Sequence, residues 1–302
     1  MLSFLMVGIL IGFVIISVRY LMHNKISSLH EINRISNSTI STLGIVPKYR
    51  EDIPLSMLLV DKHPKGFFAE AFRNLRTNMQ FLSNTEGAKL VTVTSTISGE
   101  GKTMIAINLA GIISFSNKKV ILLDLDMRKP KINKGFEVDN ICGMSTVLIG
   151  KTPLKEAIRK SNMSNLDFIT AGPVPPNPSE LIISDMMDQV IEELKKNYDY
   201  IIIDTPPAGL VTDSVALIRK ADCPLYIFRA DYSHKNFVQN VDRLINESNM
   251  RNLSVVLNGV DLQRNRYNYN YGYGYNYGYG YGDGYYEDVS PKKSWWQRVF
   301  KR

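Results

Sequence analysis

The stretch KLVTVTSTISGEGKTMIAINLA, residues 89–110, constrains the fold more than any other part of the chain. A run of β-branched residues breaks into a glycine loop, and the loop opens into an apolar, helix-forming segment. A strand that turns directly into a helix can open the crossover connection that parallel neighbours need. The pattern then repeats. KKVILLDLD, LDFITA, YDYIIIDTPP, CPLYIFRA and LSVVLNGV are buried runs of strand length, with helical segments between most of them. This alternation predicts a doubly wound, mostly parallel α/β sheet.

Residues 95–103, STISGEGKT, carry the chemistry of a phosphate loop. Gly99 and Gly101 let backbone N–H groups curl around anionic oxygens, Lys102 reaches the β/γ-phosphates, and Thr103 offers a hydroxyl to Mg²⁺. The following helix adds its positive N-terminal end. The nucleotide-binding set is Ser98, Gly99, Glu100, Gly101, Lys102, Thr103 and Met104. Thr96 stands where the general pattern has its first glycine, and the competing reading is an ordinary glycine-rich turn. Carboxylates at strand ends weigh against that reading. Ile201-Ile202-Ile203-Asp204 delivers Asp204 to the C-terminal edge of the sheet, where ligands of open α/β sheets bind. In VILLDLDMR, Asp124 and Asp126 lie two residues apart on one side of the strand end, with Arg128 on the same parity. A P-loop NTPase-like sheet with ATP and Mg²⁺ as ligands is therefore expected, with Lys102, Asp124, Asp126 and Asp204 as its catalytic set. Mg²⁺ takes one or two carboxylates plus phosphate oxygens and water, which leaves one aspartate as a base.

The chain divides into a transmembrane helix (1–20), a juxtamembrane linker (21–60), the phosphate-loop domain (61–262) and a tail (263–302). Met1 to Val18 carries no ionisable side chain, and eighteen helical residues span roughly 27 Å, close to the hydrocarbon core. A cleaved signal peptide is the alternative, but the basic start and small-residue cleavage site are missing. Arg19, His23 and Lys25 place the following residues in the cytoplasm. Phe68, Phe72, Leu75, Met79 and Leu82 form one stripe at helical spacing, with Glu70, Arg73 and Arg76 on a flank facing away from the core. The net charge of +7 suits an anionic membrane surface. Nucleic acid is not an expected partner, because the basic residues gather on no single recognition helix. Cys142 and Cys223 suggest neither a disulfide framework nor a metal site.

Ten of the 16 tyrosines crowd into residues 266–287: Tyr267, Tyr269, Tyr271, Tyr273, Tyr275, Tyr277, Tyr279, Tyr281, Tyr285 and Tyr286. Glycine and asparagine between them predict a disordered tail whose 22 residues reach roughly 25 Å. A low-complexity, self-associating segment is the bland alternative. The terminal SPKKSWWQRVFKR mixes tryptophans with cations, which suits either a lipid interface or a solvated end.

AEAFRNLRTN, TSTISGEGKTMIAINLA, VILLDLDMRKP, PPNPSELI, YIIIDTPP and the tyrosine cluster resemble, in order and over about residues 60–290, the bacterial tyrosine kinases (BY-kinases) of polysaccharide co-polymerases. The resemblance implies a Walker A loop at GEGKT, a Walker A′ at LLDLDMR and a Walker B aspartate at Asp204. It implies Asp124 as the base toward tyrosine, with Thr103, Asp126 and Asp204 organising Mg²⁺. It also implies a homo-oligomeric ring through Glu70, Arg73 and Arg76, whose bland reading is an intrahelical salt bridge. The implied setting is the bacterial inner membrane, single-pass with a cytoplasmic kinase domain. The implied partners are lipid, the polysaccharide export machinery and a cognate phosphotyrosine phosphatase. The implied activity is autophosphorylation of the tail in trans, with ring dissociation as its consequence. Ser98 stands where the family often has proline. Fused members also carry an outer domain before the helix with which this chain begins, so such a domain is expected from a partner or to have been lost. A partition-type ATPase shares the fold, but usually carries a further lysine early in the loop, where this chain reads Thr96-Ile97-Ser98. A nucleotide-controlled adaptor without kinase activity is the third reading.

Overall fold

The structure, a computed structural model, describes residues 4, 6, 8–14, 24–49, 57–82, 87–209, 213–248, 250 and 252–262. Eight strands form one sheet: β1 (Ser41–Pro47), β2 (Lys89–Ser95), β3 (Val120–Asp124), β4 (Arg159–Lys160), β5 (Leu166–Ile169), β6 (Tyr200–Asp204), β7 (Cys223–Arg229) and β8 (Ser254–Val260). Their spatial order is β1-β8-β7-β2-β6-β3-β5-β4, parallel throughout except for β4 against β5.

The longer helices among the described residues are α1 (Leu29–Ile35), α2 (Phe67–Leu82), α3 (Lys102–Ser114), α4 (Asp185–Lys195), α5 (Asp213–Lys220) and α6 (Val238–Glu247). One face of the sheet packs on α2 and α3, where Phe72, Leu75, Ile105, Leu109 and Ile112 are sealed from water with Val91, Val93 and Leu122. Met187, Val190, Ile191 and Leu194 of α4 cover the other face, against Ile121, Ile201 and Ile203. A third cluster joins Val238 and Val241 of α6 and Ile32 of α1 to Tyr226, Phe228, Val255 and Leu257. Burial on both faces explains why β2, β3 and β6 read as continuous apolar runs rather than alternating ones.

Within the stretch expected as a linker, residues 24–49 and 57–60 are described, and they carry elements that pack on the sheet. Ser28 caps α1 by accepting from the Glu31 N–H, and β1 extends the sheet beside β8, with Leu43 and Val46 buried. Asn78 of α2 donates to the Leu43 carbonyl at 2.7 Å. The register slips between Thr42 and Gly44, a bulge that breaks the alternation by which a strand is read.

The α2 stripe is as expected at Phe68, Phe72, Leu75 and Met79, whereas Leu82 is exposed. The flank is not turned wholly away from the core. Glu70 and Arg73 pair at 2.8 Å with about a third of each side chain exposed, and Arg73 also donates to the Pro64 carbonyl. Arg76 reaches across to the Ile112 carbonyl at 3.2 Å, near the last turn of α3, where a cation suits the helix C-terminus.

Residues 8–14 are helical, and Ile9, Leu10, Ile11, Phe13 and Val14 among them are exposed. Among the described residues, no helix is long and apolar enough to cross a membrane. Most of the expected anchor and the whole tail, with its ten tyrosines, lie outside the described residues.

Candidate active site

The loop between β2 and α3 turns on two glycines in the left-handed region, Gly99 and Gly101, each at φ 97°. Gly101 caps α3, and a Cβ there would overlap the Asn258 side-chain nitrogen. Only glycine meets both conditions without strain. Thr96 is buried, and its hydroxyl lies 2.9 Å from the Tyr226 hydroxyl of β7. The departure from the usual glycine is thus a hydrogen bond to the neighbouring strand. Gly209, beyond β6, fits against the Thr96 carbonyl, where a Cβ would come within 2.5 Å of the oxygen.

Strand register then assembles the charges. Asp124 and Asp204 are direct partners at the ends of β3 and β6, and both are fully buried. Lys102, at the start of α3, is 5% exposed, and its Nζ donates to Asp126 Oδ2 at 2.7 Å. Thr103 Oγ1 donates to Asp204 Oδ2 at 2.6 Å. The Asp126 amide donates to Asp124 Oδ1 at 3.1 Å, and the Lys131 and Ile132 amides reach Asp124 Oδ2 at 3.3 and 3.1 Å.

One buried cation thus faces three buried carboxyls. Burial pushes the Asp124 carboxyl well above its ordinary value, and Asp204 pushes it further, outweighing the amides of Ile132 and Lys131. Burial also raises Asp204, to about 6, against the opposing pull of Lys102 and Thr103. Burial weakens the hold of Lys102 on its proton, but Asp204, Asp126 and Asp124 more than offset this and keep its ammonium above the ordinary lysine value. The cluster carries excess negative charge looking for a cation.

Asp204 Oδ1 is buried without a hydrogen-bond partner. A carboxylate oxygen left open in this way, beside the Thr103 hydroxyl and near Asp126, gives a set of hard oxygen donors suited to Mg²⁺. Among the described residues, no three acidic, histidine or cysteine side chains gather closely enough to hold an ion by themselves. Phosphate oxygens would have to complete the shell, as Mg²⁺ sites on nucleotides do.

Glu100 is fully buried. Its carboxylate turns into the protein, accepts the Ile97 amide at 2.8 Å and receives the Ser233 hydroxyl, so only its backbone is available to a phosphate. Burial raises its proton affinity despite those donors. Ser98 is half-buried and Gly99 exposed, and Met104 packs partly buried against the core. Sequence reading missed Arg229, Tyr232 and Asn258, which touch the loop from 130 or more residues away in the chain. It noted Arg128 without a role; its guanidinium meets the Ser179 hydroxyl at 3.0 Å, within the PPNPSELI segment.

Residues 88–253 match the AAA domain family. The tyrosine-protein kinase YwqD of Bacillus subtilis is 35% identical over 201 residues, 67% of this chain and 85% of YwqD. The tyrosine-protein kinase Wzc of Salmonella typhi is 30% identical over 225 residues, 74% of this chain but 31% of that longer protein. The solved kinase domain of Escherichia coli tyrosine kinase ETK superposes with a TM-score of 0.70 at 30% identity, over 78% of this chain and 95% of that domain.

Proposed function

The chain belongs to the AAA domain family and is one of its tyrosine-protein kinases; from that premise we propose that it moves the γ-phosphoryl of ATP onto tyrosines of its own C-terminal segment, presented by a neighbouring copy. The observation that carries the proposal is the Lys102–Asp126 and Thr103–Asp204 clasp, with its unpartnered Asp204 oxygen, in a chain bearing ten tyrosines between residues 267 and 286.

Phosphoryl transfer is mainly positioning and charge stabilisation. The backbone amides from Ser98 to Met104 cradle the phosphates. Lys102 would turn from Asp126 to the γ-phosphate, and Thr103, Asp126 and Asp204 would hold Mg²⁺, whose charge would offset that developing on the phosphate oxygens. Asp124 takes the phenolic proton. Its strengthened hold on a proton moves it toward a working base, whereas an ordinary carboxylate is too weak for a phenol of pKa ~10. Asp124 is fully buried and its oxygens accept amides at 3.1–3.3 Å, so an incoming phenol reaches it only if the covering residues move aside.

The copies meet through the α2 flank of Glu70, Arg73 and Arg76, forming a ring that lies on the bacterial inner membrane through residues 1–20, its kinase domain cytoplasmic. Lipid also meets the basic, tryptophan-bearing C-terminus. Each phosphotyrosine adds about 1.5–2 negative charges, so a fully modified set repels its neighbours and loosens the ring. This cycle serves the polysaccharide export machinery and is reset by a phosphotyrosine phosphatase.

Incubating the intact chain with γ-labelled ATP and Mg²⁺ and mapping the label by mass spectrometry tests the assignment. Label on several of Tyr267 to Tyr286 is expected. ATP hydrolysis with unlabelled tyrosines would instead favour an assembly ATPase.

A further inference from the structure

Three consecutive carbonyls of the phosphate loop are each held from outside by a side chain of the β7–β8 region. Tyr232 Oη donates to the Ser98 carbonyl at 3.1 Å, Arg229 Nη1 to the Gly99 carbonyl at 2.9 Å, and Asn258 Nδ2 to the Glu100 carbonyl at 2.9 Å. In a trans peptide the C=O and the next N–H point in opposite directions. Fixing these three carbonyls outward therefore turns the amides of Gly99, Glu100 and Gly101 the other way, into the concavity of the loop. Those are the groups that meet anionic oxygens at such a turn.

The three donors are themselves braced. The Arg229 guanidinium lies over the Tyr232 ring, 5.1 Å from its centroid. Asp231, between them, sits in the left-handed region at φ 56°, which marks a tightly specified turn. Ser233 caps that turn by accepting the Arg229 amide at 2.8 Å while donating to the buried Glu100 carboxylate. Lys25 closes it from behind, donating to the Tyr232 carbonyl at 2.8 Å and lying 2.8 Å from His234 Nε2.

We propose that Arg229, Tyr232 and Asn258 are positioning residues that orient the Gly99, Glu100 and Gly101 amides toward the β-phosphate of the bound nucleotide. The role rests on the nucleotide reading above but not on the identity of the phosphoryl acceptor. Without the outward pull, glycine-flanked peptides rotate freely, and amides are lost to the phosphate without loss of the fold.

The test is equilibrium binding of Mg-ADP to the intact chain. Tyr232→Phe, which removes only a hydroxyl, is expected to weaken binding about 3-fold, and Tyr232→Phe with Arg229→Met about 10- to 30-fold, as for the loss of one and two hydrogen bonds. Arg229→Lys, which keeps a donor, should recover much of the Arg229→Met loss. The readout that separates positioning from scaffolding is the amide resonances of Gly99, Glu100 and Gly101. On adding Mg-ADP these should move strongly in the wild type and weakly in the double variant, with the nucleotide-free melting temperature unchanged within about 2 °C. Wild-type affinity and wild-type amide shifts in the double variant would overturn the proposal. A nucleotide-free variant that melts much earlier would overturn it too, because the pair would then be scaffolding. Wild-type protein that binds no Mg-ADP would sink the nucleotide reading itself.

Discussion

Lys102→Met is expected to abolish labelling of the C-terminal tyrosines, lowering transfer at least about 100-fold, the scale of losing one charge stabiliser in a water-excluded site. The lysine is 5% exposed and is the cation bonded to Asp126. Removing it also leaves Asp126, Asp124 and Asp204 without their balancing charge. Breaking one side of a buried pair commonly costs about 3–5 kcal/mol, so the variant should melt early as well. The two effects can be separated. Assayed well below its own melting temperature, where the chain is still folded, Lys102→Met should show no transfer. Wild-type transfer under those conditions would mean that Lys102 supports the fold and not the reaction.

Asp204→Asn should do the opposite to stability and the same to activity. The Asp204 carboxyl holds its proton up to about pH 6 in the folded chain, against an ordinary value of 3.8. Below pH 3.8 both folded and unfolded states are protonated, and the residue imposes no penalty. As pH rises from 3.8 through about 6 the unfolded chain releases its proton first, so the folded state loses stability, and above that window the loss is constant. A shift of this size corresponds to roughly 2–3 kcal/mol. Asparagine keeps the shape and can still accept from the Thr103 hydroxyl, yet carries no charge. The variant should therefore melt about 4–8 °C above the wild type at pH 8 without nucleotide, with the gain vanishing near pH 4. It should also lose Mg²⁺-dependent stabilisation by ADP and all tyrosine transfer. A melting temperature at pH 8 equal to or below that of the wild type would show that the buried charge is not a strain on the empty site.

Such strain is the usual companion of a site built to receive a cation: stability is given up where function needs unbalanced charge. It also explains why the chemistry was legible in the sequence. Asp204 and Asp124 end apolar strands that a two-sided sheet must bury, and Lys102 and Thr103 open a helix after left-handed glycines. Each placement follows from periodicity and turn chemistry within a dozen residues. β1 was hidden because the bulge at Gly44 and the terminal Pro47 look like a turn when the strand is read without its partner β8. β4, two polar residues long, has no pattern to read. The inward turn of Glu100 depends on Ser233, and the outward hold on the loop depends on Arg229, Tyr232 and Asn258. Contacts of that sequence separation leave no local periodicity. Thr96 looked like a flaw in the loop pattern and proves to be a contact with Tyr226.

The most direct measurement mixes two full-length variants that cannot label themselves by the proposed route. One carries Lys102→Met and keeps its tyrosines; the other keeps Lys102 and has all ten tyrosines from Tyr267 to Tyr286 changed to phenylalanine. With γ-labelled ATP and Mg²⁺, transfer between copies predicts label on Tyr267 to Tyr286 of the Lys102→Met chain, and none when either variant is incubated alone. ATP turnover by the mixture with both chains unlabelled would contradict the account.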